Sequence, residues 1–480
     1  MRFFIGQRAA AVETKKLTLL SGIIELGCTQ GQELSTEAET SGGSAVPTVI
    51  DEPTLPRADA VGGLAQGAVT DSAETTVIEV PRIARALRHR DFRLFWTGNF
   101  LSNIGTWMQN VAQGWLVLKL TNSAFWLGMV GFAASIPILL FALIGGVIAD
   151  HVNKRWLLMI TQSAMMVFAF IMAALAYFKV ITVAEIVLLA LGTGIAMALN
   201  TPGYQALVPQ LVPREDLTNA IAINSAQYNM SRVLGPTLGG FAMALVGEAG
   251  NFFLNGLSFL AVIVALSRIR HIVSEVPREG RLWEKMKQGF DYLFNDPAMS
   301  SLVMLVAIGS LLAIPYLTFV PYFARDVLGT DEPGLGLLMA CSGAGAFLGA
   351  LTIASITVIR RRGLFVIRAL IGFFVAIIAF TFSRNFYLSG FLLMVAGYCM
   401  IVSVATINSS LQHLAENSMR GRVMSIYSTA FLGLPPIGCL IAGSLAHFFT
   451  APHVIAGMCS LALRGSLAVY VHREGLRGLD

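Results

Sequence analysis

Charge is the first thing this sequence lacks. Asp, Glu, Lys and Arg make up 13% of its 480 residues, where a soluble chain carries about a quarter. With 55% hydrophobic residues and a mean hydropathy of +0.69, a soluble globular protein is excluded, and a polytopic membrane protein is left. Cysteine is scarce as well. Cys28, Cys341, Cys399, Cys439 and Cys459 are odd in number and scattered, so no disulfide frame or metal spacing emerges; they read as small packing residues. There is no His-x-x-x-His, no carboxylate pair and no nucleophile–base set at a common depth. No enzyme is therefore expected, and no metal or organic cofactor. Also absent is any Asp or Glu in the middle of an apolar run: Asp150 and Glu185 stand at run ends, Glu248 and Asp326 just outside. A cation in low dielectric needs a counter-charge, so this pattern suits a neutral or anionic ligand. The net charge of +5 comes from basic residues flanking apolar runs, which suits a membrane and leaves no nucleic-acid partner to expect.

Apolar length is what the chain has in abundance. Runs of about twenty residues, each enough to cross a hydrocarbon core of roughly 30 Å, fall at 94–118, 124–148, 156–178, 183–205, 218–246, 251–269, 299–322, 334–357, 364–382, 386–408, 422–448 and 452–471. Twelve spans are expected, the last interrupted by Arg464. Basic residues take sides between them. Arg82, Arg85, Arg88, Arg90 and Arg93 precede span one, Lys154 and Arg155 follow span two, and Arg214 follows span four. Arg268, Arg270, Arg278, Arg281, Lys285 and Lys287 follow span six. Arg360, Arg361 and Arg362 follow span eight, Arg420 and Arg422 span ten, and Arg473 and Arg477 span twelve. The opposite loops hold only Lys119, Lys179, Arg325 and Arg384. This bias places both termini in the cytoplasm.

Residues 1–81 differ from the rest. Thr40 to Val80 is rich in Ser, Thr, Ala, Gly and acidic residues and is broken by Pro47, Pro53 and Pro56. It reads as a disordered cytoplasmic tail, or as sequence ahead of a later translation start. Leu17 to Cys28, interrupted by Glu25, is too short for a signal-peptide core. Residues 82–270 and 299–480 then form two six-span bundles joined by a linker, 271–298. Within the linker, Arg281 to Phe294 sets Leu282, Met286, Phe290 and Leu293 or Phe294 at helical spacing opposite a basic face. That is an amphipathic helix for the membrane surface.

Span one holds the most informative pattern. At about 100° per residue, Asn99, Asn103, Thr106, Asn110 and Gln113 project within one arc, which Ser102 and Gln109 widen. Unsatisfied polar groups are costly against lipid, so this stripe faces protein or a water-filled cavity. Hydrogen bonding between helices uses the same residue types; seven in register favour a pathway lining. Span five adds Ser225, Tyr228 and Arg232 on one face, with Asn229 close by. Arg232 lies about 20 Å into its span at 1.5 Å per residue, near mid-membrane. A central arginine costs about 2.5–3.5 kcal/mol to insert. It serves either function or a structural bond to backbone carbonyls.

Between spans two and three, GGVIADHVNKRW carries Gly146, Asp150, His151, Asn153, Lys154 and Arg155. This resembles the loop 2–3 signature of the major facilitator superfamily, which usually has Arg or Lys at His151 and Gly at Asn153. In span five, Gly235-Pro236-x-x-Gly239-Gly240 resembles that superfamily's antiporter motif, with Ser231 where an earlier glycine is usual. Together with DFRLFW, YQALVPQLVPREDLTNA and MRGRVMS, the pattern is similar to the bacterial branch containing enterobactin exporters and macrolide-efflux proteins, from about Arg82 to Val471. The resemblance implies an all-α integral membrane fold of twelve transmembrane helices in two pseudo-symmetric six-helix bundles. It also implies residence in the bacterial inner membrane, where a monomer among lipids would export a small-molecule substrate by proton antiport.

The candidate pathway is thus Asn99, Asn103, Thr106, Asn110, Gln113, Ser225, Tyr228 and Arg232, with Tyr398, Ser403 and Thr406 of span ten as weaker counterparts. The candidate gate is Gly146, Asp150, Lys154, Arg155, Arg420 and Arg422: Asp150 can cap span eleven's positive N-terminus and pair with an arginine. Gly235, Pro236, Gly239 and Gly240 are expected to seal span five against span eight, whose Cys341, Gly345 and Gly349 offer a small-residue face. The proton carrier would have to be Glu185, Asp150 or a histidine such as His447. The expected cargo is a neutral or anionic amphipath, siderophore-like or antibiotic-like. A lipid-like substrate, facilitated uptake, or a non-transporting receptor or scaffold are the other readings.

Overall fold

The computed structural model describes residues 82–269, 282–356, 359 and 361–478, without the side chains of 82–84, 142–151, 282–286 and 474. The expected tail and residues 271–281 of the linker lie outside these residues. No strand is present among them. Among the described residues ten helices are long and apolar enough to cross a membrane. Two further facts bring the number of spans to twelve. Span one, Arg90–Thr121, runs for 32 residues but is too polar to meet that test, because of the amide stripe. The element Leu217–Arg268, 52 residues long, is twice the length of a span. It holds spans five and six, parted at Gly247, whose φ of +71° and ψ of −179° favour glycine.

Local chemistry sets the remaining boundaries. Span two is Ala124–His151, and Asn122 in the left-handed conformation (φ +51°) closes span one before it. Span three, Lys154–Tyr177, starts at Asn153, whose side chain accepts from the amides of Arg155 and Trp156. The asparagine at that loop position is thus a helix cap. Span four, Val183–Leu207, begins with a capping box of Thr182 and Glu185. The Glu185 carboxylate accepts from the Thr182 amide at 2.5 Å, which commits it to a helix start and not to the membrane centre.

The linker helix is Leu282–Asn295. Span seven starts at Pro297–Leu312 under an Asp296 cap, turns at Pro315, and continues as Tyr316–Tyr322 into a π-helical turn, Phe323–Val327. Spans eight (Glu332–Ser355), nine (Arg362–Phe382) and ten (Phe386–Leu414) are unbroken. Span eleven is split into Arg420–Gly433 and Pro435–Phe448, since a proline cannot continue the hydrogen-bond ladder before it. Span twelve is Ala451–His472. The expected straight runs at 299–322 and 422–448 are therefore bent, at Pro315 and at Pro435.

Helix contacts repeat from one half to the other. Two packs on four, three on four and six, and one on five; eight packs on ten, nine on ten and twelve, and seven on eleven. The two principal seams between halves, five on eight and two on eleven, obey the same relation. The fold is two pseudo-symmetric six-helix bundles. The arginine-rich end carries Arg93, Arg155, Arg268, Arg420 and Arg473; the opposite end carries Lys119, Lys179, Arg325 and Arg384.

Glycines bring the seams to backbone contact. A Cβ on Gly240 would lie 2.6 Å from the Glu332 carbonyl oxygen and 2.9 Å from Gly336 Cα, and one on Gly343 would lie 2.6 Å from the Arg232 carbonyl oxygen. Span five therefore meets span eight at Gly336 and Gly343. The face expected to do this is occupied elsewhere: Gly349 closes on the Tyr398 carbonyl, Gly345 on the backbone of Met394 and Tyr398, and Cys341 lies beside Gly390, all of span ten. Helical spacing locates both small-residue faces of span eight without saying which neighbour each one meets. Gly239 packs on Met108 and Gly235 on Trp107 and the Ile104 carbonyl, so within the motif it is Gly240 and the Pro236 carbonyl that face the other half.

Candidate functional site

The polar stripe of span one divides along its length. One edge is consumed by packing. Asn99, 8% exposed, donates to the Tyr204 hydroxyl at 3.1 Å and to Gln227 Oε1 at 3.4 Å. Tyr204 in turn donates to Asn224. Buried Gln109 accepts from Asn255 Nδ2 at 2.6 Å, and Asn255 is held by Ser258 on the same span six. Ser102 is buried, and Thr106 donates back to the Ser102 carbonyl at 2.9 Å. These groups bind neighbouring helices or their own backbone.

The other edge is open. Asn103 and Gln113 are partly exposed and Asn110 is exposed, and none of the three has a hydrogen-bond partner among the described residues. The helical projection places Asn103 and Asn110 farthest from Gln109 around the axis; Asn99 and Gln113 lie between them, and there the partners that spans four, five and six offer at each depth decide which amide is bonded. Mid-span amides with no protein partner require water or a ligand.

Across from this edge stands span five. Arg232 lies 5.7 Å from the Trp107 ring centroid, and Tyr228 meets the same ring edge-on at 6.4 Å. The guanidinium makes no hydrogen bond to a backbone carbonyl among the described residues, so the structural one of its two expected roles finds no such bond here. A cation–π contact contributes about 0.5–2 kcal/mol, less than the roughly 2.5–3.5 kcal/mol cost of a mid-span arginine. The partly exposed side chain makes up the balance by reaching open space. Tyr228 and Ser225 are exposed on the same side, and Asn229 is bonded to the Ser225 carbonyl at 2.8 Å.

Span ten contributes less than its composition promised. Ser403 and Thr406 are each 1% exposed and donate to their own helix, at the Met400 and Val402 carbonyls. Tyr398 packs behind Gly349. Sequence reasoning also missed the partners of the stripe. Tyr204, Asn224, Gln227 and Asn255 were each visible as polar residues in apolar runs, but only tertiary packing pairs them with Asn99 and Gln109.

Three hydrogen bonds join the two halves among the described residues, and all lie at the end opposite the arginines. Trp115 Nε1 donates to Glu332 Oε1 at 3.0 Å. Arg325 donates to the Leu118 carbonyl and to Asn122 Oδ1, both at 2.7 Å. Asp326 fixes the Arg325 fork from behind, at 2.8 Å. Pro321 packs on Gly114 beside them.

At the arginine-rich end no described gate side chain bonds across to the other half. Arg155 donates to the Ser267 carbonyl at 2.7 Å, and Lys154 is buried. Arg422 donates to Gln288 of the linker helix at 2.8 Å, and Arg420 donates through Nε to the Gln412 carbonyl at 3.0 Å. The backbones of Gly146 and Asp150 belong to span two; their side-chain environments lie outside the described residues. Linker Gly289 is buried against Arg422, while Phe290 and Phe294 stack in parallel at 6.0 Å on the exposed side. His447, the remaining candidate proton carrier, is exposed near Phe125 and Phe448.

Over residues 84–477 the chain matches the family described as transmembrane secretion effector. It is 24% identical over 364 residues to the staphyloferrin A transporter of Staphylococcus aureus, covering 74% of this chain and 90% of that one. It is 26% identical over 385 residues to the multidrug efflux pump Tap of Mycolicibacterium fortuitum (77% and 92%). To the enterobactin exporter EntS of Escherichia coli it is 25% identical over 364 residues (75% and 86%). Among solved structures, the nucleoside transporter NupG superposes with a TM-score of 0.63 at 13% identity, over 80% of this chain and 98% of its own. A D-xylose–proton symporter does so with 0.62 at 15% identity (81% and 98%). At such identities the likeness is one of fold, whereas the family match spans nearly all the described residues. The chain belongs to the transmembrane secretion effector family of the major facilitator superfamily, on its siderophore- and drug-efflux branch.

Proposed function

We propose that this protein is a secondary active exporter of a neutral or anionic amphipathic small molecule, siderophore-like or antibiotic-like, working by alternating access. The observation that carries the reading is the open edge of span one. Asn103, Asn110 and Gln113 have no hydrogen-bond partner among the described residues, and Arg232 stands over Trp107 of the same span. An apolar cargo with a few hydrogen-bonding groups would satisfy these amides. An anionic one would also neutralise the arginine. In this reading the arginine-rich end is cytoplasmic, in the inner membrane of a bacterium. The bonds of Trp115 and Arg325 close the outer end, and cargo loads from inside. The relatives that move staphyloferrin A or enterobactin, or that expel drugs, agree with this cargo class.

Proton antiport is the proposed energy source. A facilitator that needs no gradient is the second reading, favoured by the lack of a mid-span carboxylate. Counterflow in proteoliposomes decides between them. An antiporter concentrates a fluorescent anionic amphipath against its gradient only when a pH difference is imposed, whereas a facilitator equilibrates it regardless. Failure to move any amphipath above the rate of empty liposomes refutes transport altogether.

A further inference from the structure

A cavity of about 490 Å³ opens in the second half, between the arginine-rich end of span ten and the start of span eleven. The part of it deeper along span ten is apolar: Ile401, Val404 and Ala405. The part nearer the helix end carries Asn408, Gln412 and His413, with Arg420 of span eleven. From its geometry we infer that this cavity is a separate binding site for an oxyanion joined to an apolar body.

Arg420 is the recognition element. This exposed side chain is tied through Nε to the carbonyl at Gln412, which restrains the guanidinium beside the cavity. The two terminal nitrogens have no partner among the described residues. A planar fork held at one nitrogen and vacant at two is preorganised for a carboxylate or phosphate. Gln412 donates to Asn408 Oδ1 at 2.6 Å, so the amide pair is locked along the cavity floor. His413 adds two further ring nitrogens with no partner among the described residues. There is no Asp or Glu in the lining among the described residues. A cation would meet only an arginine, and a wholly apolar ligand would strip water from it without return.

The site is distinct from the open edge of span one, because it is built entirely from spans ten and eleven. That its occupant is the exported cargo, loaded here before it reaches the amides of span one, rests on the export reading. That the cavity takes an oxyanion does not. A lipid headgroup and a water-soluble organic anion share this chemistry.

The test uses the full-length protein in amphipol without added lipid, with equilibrium dialysis of 1-naphthoate and of its uncharged isostere 1-naphthamide. Wild type should prefer the carboxylate by at least about tenfold, the scale of one hydrogen bond to a charged group. Arg420→Gln should abolish the preference and Arg420→Lys keep part of it. Arg384→Gln, which removes an exposed charge from the far end of span ten, should leave it unchanged. Ala405→Trp fills the apolar part without touching the guanidinium, so it should abolish binding even if Arg420→Gln proves poorly folded. Displacement of 1-naphthoate by dihexanoylphosphatidylglycerol at lower concentration than by unlabelled 1-naphthoate assigns the site to a headgroup. The reverse order assigns it to a soluble anion. Equal binding of the two isosteres by wild type, or a preference that survives both Arg420→Gln and Ala405→Trp, overturns the inference. Because the readout is binding alone, it stands or falls apart from any export assay.

Discussion

A single methyl group at Gly240 should weaken the seam between the halves. The Cβ of Gly240→Ala would lie 2.6 Å from the Glu332 carbonyl oxygen and 2.9 Å from Gly336 Cα, and the reciprocal Cβ on Gly336 would lie 2.7 Å from the Pro236 carbonyl oxygen. All of these are backbone atoms, so no side chain can rotate aside. Ordinary contact between such atoms needs about 3.5 Å, and the two helices must part locally by nearly 1 Å. Overpacking of this kind costs about 1–3 kcal/mol, or roughly 5- to 150-fold in the population of the closed seam at 1.4 kcal/mol per tenfold. The control is Gly457→Ala in span twelve, where a Cβ meets nothing within 4 Å and helix propensity gains up to about 1 kcal/mol. Thermal unfolding of the purified proteins, followed by tryptophan fluorescence, should place Gly240→Ala several degrees below wild type and Gly457→Ala at or above it. If Gly240→Ala melts with wild type, the seam does not depend on glycine contact and the reasoning fails.

The two edges of span one should respond oppositely to apolar replacement. Gln109→Leu strands the buried Asn255 donor, which costs about 1–3 kcal/mol of stability, whereas Asn110→Leu should fall within about 0.5 kcal/mol of wild type; chemical unfolding in detergent measures both. At the opposite end, Glu332→Gln keeps an acceptor for Trp115 while Arg325→Ala removes two bonds between the halves. Spin labels across that end should show a wider distance distribution for Arg325→Ala and a wild-type one for Glu332→Gln. Before span five, the His89 hydrogen bond foremost, with the Arg85 charge behind it, holds the Asp216 carboxyl below its ordinary range. A depressed folded pKa stabilises at pH above the unfolded value of about 3.9 and is lost as pH falls through the folded one. Docking of residues 85–89 should therefore persist at about pH 5 and loosen only below about pH 4. Asp216→Asn should loosen it already at neutral pH, read as faster amide hydrogen exchange.

Much of the fold was legible because hydrophobic length and basic flanks are written directly in the chain. The twelve runs agree with the helices to within a few residues, and Gly247 separates spans five and six where the sequence expected a short turn. What stayed hidden depends on rotation about the helix axis and on partners far away. Periodicity found the arc from Asn99 to Gln113, yet it does not say which of its amides meet a partner such as Tyr204 or Asn255 and which are left open. Nothing local distinguishes Gln109 from Asn110. The same blindness misassigned the small-residue face of span eight, since Gly336 and Gly345 are equally small. Ser403 and Thr406 looked like pathway residues, but a hydroxyl can satisfy itself on its own helix; the long amides at Asn408 and Gln412, one turn apart, were the better signal on span ten.

The most direct measurement is accumulation of neutral, anionic and cationic fluorescent amphipaths in cells expressing wild type, Asn110→Leu or Arg232→Gln at matched membrane abundance. The account predicts that wild type lowers accumulation of neutral or anionic compounds and that both variants lose this effect while remaining folded. Compounds that are expelled equally by wild type and both variants would show that the open edge of span one is not the pathway.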